Sequence, residues 1–108
     1  MSVYFVGAVT VRDREKYLEY ISGGLEISEQ CGAEFLAYGK PNVVEGFSPG
    51  ERLAIIRFPD QAAFDRFYNS PEYSSVIPIR HANAHTSFIL TLDDEQFAES
   101  MDLKDYKS

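Results

Sequence analysis

The chain has 108 residues, 44% of them hydrophobic and 25% charged, and these values predict one globular domain with a small core. Its 10 basic residues against 17 acidic ones give a net charge of −7, which argues against a nucleic-acid partner, because phosphate backbones are bound by clustered Lys and Arg. A single cysteine cannot form an internal disulfide, no apolar run is long enough to cross a bilayer, and residues 3–11 lack the basic lead of a signal peptide, so we expect a cytoplasmic protein.

The first part of the chain is predicted to form a strand and a helix. Residues 3–11 are rich in β-branched and aromatic side chains, which is typical of a strand. Asp13 is a candidate helix cap. The amphipathic helix that follows has one face at i, i+4 and i, i+3 spacing, formed by Tyr17, Ile21, Leu25 and Ser28. Gly23-Gly24 weakens the middle of this helix, where a kink or an early end is expected, and Gly32 ends it.

Two further strands and a second helix follow. The second strand covers residues 34–38 and is expected to resume at Val43-Val44 after a break. A turn rich in Gly and Pro leads to the third strand, at residues 52–58. Asp60 then caps a second helix, which Ser70-Pro71 stops.

The last part of the chain combines a fourth strand with an acidic tail. Residues 72–85 are predicted as a short helical turn followed by a loop, and residues 87–92 as the fourth strand. Residues 93–108 hold six acidic and two basic residues, a net charge of −4. Phe97 and Met101 lie at i, i+4 in this tail, so a short helix is expected to pack on the domain, with recruitment of a protein partner as the alternative.

The order β-α-β-β-α-β predicts an α+β ferredoxin-like fold, with both helices on one face of an antiparallel sheet. Strand 3–11 is apolar on both sides, and in strand 52–58 Leu53 and Ile55 alternate with the equally apolar Ala54 and Ile56. A sheet with a solvated face would alternate apolar and polar residues. We therefore expect residues 1–92 to form a homodimeric α+β barrel in which a second copy covers the other face, followed by the tail at 93–108.

Several short motifs are spread over residues 3–92. They are Arg57-Phe58-Pro59-Asp60, Phe67-Tyr68-Asn69-Ser70-Pro71-Glu72-Tyr73, Arg80, Tyr17-x-x-Tyr20, Gly32, Tyr38-Gly39 and Glu45-Gly46. Together they resemble the DUF 1330 family (domain of unknown function) of the dimeric α/β-barrel superfamily, which is related to antibiotic-biosynthesis monooxygenase-like proteins. The resemblance implies the fold and the dimer; the superfamily also includes cofactor-free monooxygenases, isomerases, cyclases and haem enzymes. Two features depart from the family pattern: Arg57 stands where an acidic residue is usual, and residues 93–108 extend beyond the fourth strand.

Aromatic and cationic side chains are the candidates for substrate binding. The candidates are Arg80, Arg57, Tyr38, Tyr68 and Tyr73. Inward-pointing tyrosine hydroxyls would suit a planar or phenolic ligand, whereas core packing is the alternative. Arg57 is either an anion clamp or a partner of Glu34 or Glu45, or it is exposed. Arg80 either points into the pocket or bonds backbone carbonyls or Glu72.

The catalytic candidates are His85, His81 and Tyr20. The two histidines are four residues apart, which on a helix is a metal-ligand spacing, but they lack an intervening Glu and a clear third ligand, so no metal is predicted. A single histidine acting as general base is the catalytic alternative to an exposed or structurally bonded pair. Cys31 lies at a predicted helix end, where the dipole disfavours a thiolate, and is not a predicted nucleophile.

These features predict a cofactor-free enzyme that acts on a small aromatic or carboxylated compound, as an isomerase, a cyclase or a monooxygenase-like protein. The alternative is a non-catalytic ligand-binding or structural dimer. An open cavity with convergent polar groups would favour the enzyme, and a filled seam would favour the structural dimer.

Overall fold

The computed structural model describes residues 1–94 and contains four strands and three helices in that part of the chain. In chain order they are β1 (Val3–Val11), α1 (Arg14–Gln30), β2 (Glu34–Gly39), β3 (Arg52–Phe58), α2 (Gln61–Tyr68), α3 (Pro71–Asn83) and β4 (Ala84–Asp93). The strands form one antiparallel sheet in the order β2-β3-β1-β4. The predicted ferredoxin-like α+β fold is confirmed.

The two faces of the sheet differ in what covers them. One face packs against the helices and carries the core side chains, among them Phe5 and its cross-strand partner Ile56. The other face is open in the single chain. Val6 lies on it, opposite Ile55 on one side and Leu90 on the other, and Leu90 is 52% exposed. The strands are therefore apolar on both faces, as the sequence predicts.

Helix α1 runs without interruption through Gly23-Gly24, so the early end expected there is wrong. The glycines instead allow α3 to approach closely, since a Cβ atom at Gly23 would lie 3.0 Å from the Val76 side chain. Asp13 caps the start of the helix, because its carboxylate accepts a hydrogen bond from the Lys16 N–H. The helix ends before Gly32, whose φ is 80°.

Helix α3 replaces the short turn and loop predicted for residues 72–85. Its start follows known rules: Ser70 accepts a hydrogen bond from the Tyr73 N–H, and Pro71 occupies the first turn. Pro78 lies inside the helix, where the missing N–H of a proline is locally unfavourable. Packing of α3 against α1 and β4 outweighs that local cost, and the element order becomes β-α-β-β-α-α-β.

The connection between β2 and β3 is irregular, so the prediction that Val43-Val44 resumes a strand is wrong. Val44 is 94% exposed and Phe47 89% exposed in this loop. Within residues 1–94 no strand pairs with the two valines, and β-branched composition alone does not make a strand.

Two further sequence predictions concern membrane spans and the acidic tail. Within residues 1–94, none of the helices combines the length and the apolarity that a membrane span requires. The predicted acidic helix with Phe97 and Met101 lies outside the described residues, so it stays a prediction.

Candidate functional site

A cavity of about 50 Å³ lies between the sheet and the helices α1 and α3. Its wall is mostly apolar, with side chains from β1, β3, β4, α1 and α2: Phe5, Val9, Ile21, Leu25, Ile56, Phe67 and Ile89. The partly exposed rings of Phe35 and Tyr38 stand at its solvent end. The volume accommodates roughly three water molecules, or one polar group of a ligand whose body extends toward the mouth.

A cluster of two tyrosines and one arginine forms the polar part of the wall. Tyr20 comes from α1, and Tyr73 and Arg80 lie two turns apart on α3. The hydroxyls of Tyr20 and Tyr73 are 2.5 Å apart, and Arg80 Nη1 donates to both, at 3.2 Å and 3.3 Å. The guanidinium carbon also stands 5.4 Å from the centre of the Tyr20 ring. We call these three residues the Tyr-Tyr-Arg cluster.

The hydrogen bonds of the cluster leave donors unused. The two hydroxyls carry two protons, and only one can lie in the bond that joins them. Within residues 1–94, no protein acceptor binds the other proton, and the buried Nε–H of Arg80 also has no partner. The cluster therefore offers at least two free donors and has room for an acceptor oxygen from outside the chain.

Arg80 is a buried cation without a carboxylate partner. It is 4% exposed, and in the described part of the chain no acidic group lies within ion-pair distance of it. Burial lowers the pKa of its guanidinium, but the adjacent Tyr20 and Tyr73 oxygens outweigh burial and raise that pKa overall, so Arg80 stays charged. A buried charge is normally paired with an acid, and this one is compensated instead by two hydroxyls, the Tyr20 ring and the nearby His81 Nε2.

The buried tyrosines remain protonated in the physiological range. Burial is the main cause that raises the pKa of both Tyr17 and Tyr73, and their tyrosine neighbours raise it further, while Arg80 lowers it. Burial also raises the pKa of Tyr38, and Arg52 opposes that shift. These hydroxyls therefore serve as hydrogen-bond donors and acids rather than as bases near neutral pH.

The structure brings four of the predicted site residues to the cavity: Tyr20, Tyr38, Tyr73 and Arg80. Tyr68 lies just behind them, with its ring stacked on Phe64 at 5.6 Å and 5.5 Å from the Tyr73 ring, but it does not line the cavity. Its position is that of a packing residue, which was the alternative interpretation of the tyrosines.

Arg57 lies away from the cavity. It is on the open face of the sheet, where it forms a salt bridge with Glu34 on the adjacent β2. The neighbouring residues of β3 explain the difference, since Ile56 and Phe58 point to the core and Arg57 must then point to the opposite face. Pairing with Glu34 was one of the alternatives for this residue.

The two histidines do not share a helix face. His81 is in the last turn of α3, with Nε2 3.5 Å from Arg80 Nη2, whereas His85 is on β4 opposite Thr10. Helix α3 ends at Asn83, between them. Across residues 1–94, no three His, Cys, Asp or Glu side chains converge in a way that could hold a metal ion.

Two polar lining residues are additional to the predicted set. Arg52 begins β3 and lies on the same face as Ala54 and Ile56, which also line the cavity. Strand alternation from the core residue Ile56 could have identified it. Tyr17 lines the cavity too, and its position on the apolar face of α1 made core packing the simpler interpretation.

Comparison with known proteins agrees with the fold and identifies the family. Solved structures share the ferredoxin-like arrangement at low sequence identity. A protein of unknown function from Rhodopseudomonas palustris is 18% identical, with a TM-score of 0.71 over 84% of this chain and 80% of its own. SnoaB, a cofactor-independent oxygenase from Streptomyces nogalater, is 14% identical, with a TM-score of 0.62 over 85% and 91%.

A third structure, a dimeric ferredoxin-like protein of unknown function from Thermobifida fusca, is 9% identical, with a TM-score of 0.56 over 85% of this chain and 90% of its own. The sequence has no significant match among curated proteins. The family model described as "Domain of unknown function (DUF1330)" matches residues 2–92. The chain belongs to this family, as its motifs indicate.

Proposed function

We propose that the protein is a cofactor-free enzyme that binds a small aromatic or carboxylated compound in the cavity and stabilises an oxyanion of that compound. The observation that carries the proposal is the Tyr-Tyr-Arg cluster, which places a buried cation without a carboxylate partner, and donors that the protein does not use, in the wall of an apolar cavity. A carboxylate, enolate or phenolate oxygen would supply the missing negative charge and accept the free hydrogen bonds.

The chemistry of the cluster favours acid-type assistance. Tyr20 and Tyr73 with Arg80 can hold a substrate oxygen while charge develops on it, and apolar walls strengthen such interactions by excluding water. Isomerisation or cyclisation through an enolate, and oxygenation through a phenolate, all share this oxyanion. His81 lies beside Arg80 but is exposed and outside the cavity lining, so it would accept a substrate proton only from a ligand that extends past Arg80, and His85 lies on a different element.

Two further points support the proposal. SnoaB, which shares the fold, is described as a cofactor-independent oxygenase, so the fold accommodates chemistry without a cofactor. The homodimer is part of the proposal as well: the open face of the sheet is apolar, a second copy would cover it, and the Thermobifida fusca structure is described as dimeric.

One observation favours the alternative of a non-catalytic dimer module. The cavity measures about 50 Å³, and much of the space between helices and sheet is filled by aromatic rings. In that case the Tyr-Tyr-Arg cluster would tie α1 to α3 without binding a ligand.

Substitution of Arg80 separates these functions. Benzoate should bind the wild-type protein, and its neutral analogue benzamide at least about tenfold more weakly, because only the carboxylate compensates the buried cation. Arg80→Lys should weaken benzoate binding by about tenfold, since a lysine cannot form the fork, and the exposed Arg66→Lys should leave it unchanged. Titration calorimetry or NMR shifts measure the affinities.

Catalysis is tested on the same proteins. Phenylpyruvate in D₂O should exchange its α-protons faster with wild-type protein than with Arg80→Lys or Tyr20→Phe, because enolisation places charge on the oxygen that the cluster holds. Binding without enhanced exchange would support a binding module. If Arg80→Lys lowers the melting temperature and benzoate fails to bind even the wild type, the cluster is structural and the proposal is wrong.

A further inference from the structure

The cavity contains a second set of polar groups that the Tyr-Tyr-Arg cluster does not use. Tyr17 is 5% exposed and lines the cavity, yet its hydroxyl has no hydrogen-bond partner anywhere in residues 1–94. Arg52 lines the cavity as well, and the one bond of its guanidinium is to the Glu51 carbonyl, at 3.3 Å. Tyr17 packs in the core beside Tyr20, but its hydroxyl is left without a protein partner in the described residues, and Arg52 has only the Glu51 carbonyl.

Arg52 comes from a different wall of the cavity than Arg80. Arg52 is on β3 and Tyr38 is on β2, where it pairs with Ala54 on the face that lines the cavity. Arg80 is on α3, which packs against β4 and α1. Since the sheet order is β2-β3-β1-β4, the two arginines approach the cavity from opposite sides. Tyr17 and Tyr20, with ring centres 5.3 Å apart on α1, stand between those sides.

The wall between the two polar sets is apolar. Phe5, Ile56 and Ile89 from three adjacent strands form the floor, and Ile21 and Leu25 from α1 contribute to the roof. Across the cavity, a cationic surface at Arg80 is therefore followed by an apolar surface and then by a second cationic surface at Arg52. An apolar acid with one carboxylate would satisfy Arg80 and leave Tyr17 and Arg52 without partners.

We infer that the cavity and its mouth together take a compact ligand with two acidic or hydroxyl oxygens on an apolar body, one oxygen group held inside the cavity by Arg80 and the tyrosine pair and the other held toward the mouth by Tyr17 and Arg52. This inference rests on the proposed function of the same cavity and adds the class of ligand, namely hydroxylated or dicarboxylated aromatic acids. Burial keeps the Tyr17 hydroxyl protonated, because it raises the pKa of that group, so Tyr17 donates to the second oxygen.

The occupied site would contain a balanced set of charges. Arg80 faces the first acidic group, and the free protons of the tyrosine pair and of Tyr17 are donated along the ligand. Arg52 is only partly buried, so it faces the group nearer the mouth, where Tyr38 also stands. Tyr17 and Arg52 are thus positioned as specificity-determining residues.

A panel of benzoates tests the second end of the site. The probes are benzoate, 3- and 4-hydroxybenzoate, isophthalate and terephthalate, with titration calorimetry or NMR shifts as the readout. The best bifunctional probe should bind wild type at least about fivefold more tightly than benzoate, in keeping with one added charged or hydrogen-bonded contact. Tyr17→Phe and Arg52→Gln should each weaken binding of the bifunctional probe at least about threefold more than they weaken binding of benzoate, and so remove most of that advantage.

Matched controls exclude general effects. Tyr4→Phe removes a hydroxyl from the opposite face of the sheet, and Arg66→Gln removes an exposed charge from α2; both should preserve the bifunctional advantage. Thermal melts of every variant verify that the fold is intact.

The outcomes separate this inference from the proposed function. If benzoate binds, Arg80→Lys weakens it, and no bifunctional probe gains affinity, then the proposed function stands and the second polar end is wrong. A gain that survives both Tyr17→Phe and Arg52→Gln overturns the assignment of those residues. If no probe binds and Arg80→Lys changes only the melting temperature, the proposed function fails and the inference fails with it.

Discussion

Tyr20, Tyr73 and Arg80 show how three side chains can hold a charge in a small core. Arg80 is buried because two hydroxyls accept from it and one ring faces its guanidinium, and not because an acid pairs with it. Such an arrangement keeps the cation intact and leaves its electrostatic field uncancelled inside the cavity. The field is then available to an anion that enters.

The tyrosines predict a loss of stability at alkaline pH. Tyr17 and Tyr73 have pKa values raised above about 10, the value for an unfolded chain, so the folded state retains protons that the unfolded state releases. Their contribution is therefore fully present below pH 10 and falls as pH rises above it, by at most about 1.4 kcal/mol per pH unit and per group.

Urea unfolding at pH 7, 10 and 11 measures this loss. The double variant Tyr17→Phe/Tyr73→Phe should show a shallower decline between pH 10 and 11 than wild type, with the value of each protein at pH 7 as its own reference. Parallel curves for the two proteins would mean that neither hydroxyl resists ionisation in the folded state.

At this scale the sequence predicts about half of the candidate site. Tyr20, Tyr73 and Arg80 belong to the motifs that resemble the family, but the sequence predicts a short turn and a loop around Tyr73 and Arg80, and only the structure shows that α3 brings them to Tyr20. Sequence spacing could not reveal that α3 ends between the two histidines, because the end is set by the return of the chain into β4. Nor could it show that Tyr17 lacks a partner, since hydrogen-bond satisfaction depends on the packing of distant elements.

At the scale of the elements, the distance between helices α1 and α3 determines the width of the cavity. Gly23 and Gly24 lie where the two helices meet, and side chains at those positions would contact Val76 and Tyr73. Glycine normally costs a helix about 1 kcal/mol relative to alanine, so its presence twice in α1 needs a structural reason. Close approach of α3 supplies that reason.

Substituting Gly24 should separate stability from binding. A Cβ atom there would lie 3.7 Å from a Tyr73 ring carbon, an ordinary contact, so Gly24→Ala should raise stability by up to about 1 kcal/mol through helix propensity. Because Gly24 lines the cavity, the added methyl should also weaken benzoate binding. Thermal melts and titration calorimetry measure the two effects.

Gly23→Ala is the matched control for this substitution. Its methyl would be 3.0 Å from Val76 and outside the cavity lining, so it should gain less stability and leave benzoate affinity unchanged. A Gly24→Ala protein that is less stable than wild type would mean that the helix contact is tighter than the structure indicates.

The elements themselves are largely predictable, with one instructive failure. Strands β1, β3 and β4 and helices α1 and α2 follow from periodicity and caps such as Asp13 and Asp60. Helix α3 was missed because Pro78 is a local signal against helix, whereas the stabilising contacts of α3 with α1 and β4 are long-range. Local propensity determines secondary structure only in segments with weak tertiary contacts, and the tertiary contacts of α3 are strong.

At the scale of the whole molecule, the open face of the sheet predicts a homodimer. Sedimentation at micromolar concentration should give about twice the chain mass, as expected for the common twofold assembly. Leu90→Glu should shift the protein to a monomer, because Leu90 is 52% exposed in the single chain and would lie in the interface. Leu18→Glu is the matched control, since Leu18 is 60% exposed on α1, and it should leave the dimer intact.

Far-UV circular dichroism should show that the Leu90→Glu monomer keeps its secondary structure. A wild-type protein that sediments as a folded monomer would contradict the dimer, and the apolar open face would then need another explanation.

Strand β1 has one more consequence, for mutational tolerance. Its odd-numbered residues, such as Phe5 and Val9, face the cavity and the core, and its even-numbered residues, such as Tyr4 and Val6, face the open side of the sheet. A shift of one residue in pairing would exchange the two sets and place each against the wrong surface. Over residues 3–9 the strand therefore has no face that tolerates polar substitution, in contrast to β2, whose side chains are exposed along most of its length in the single chain.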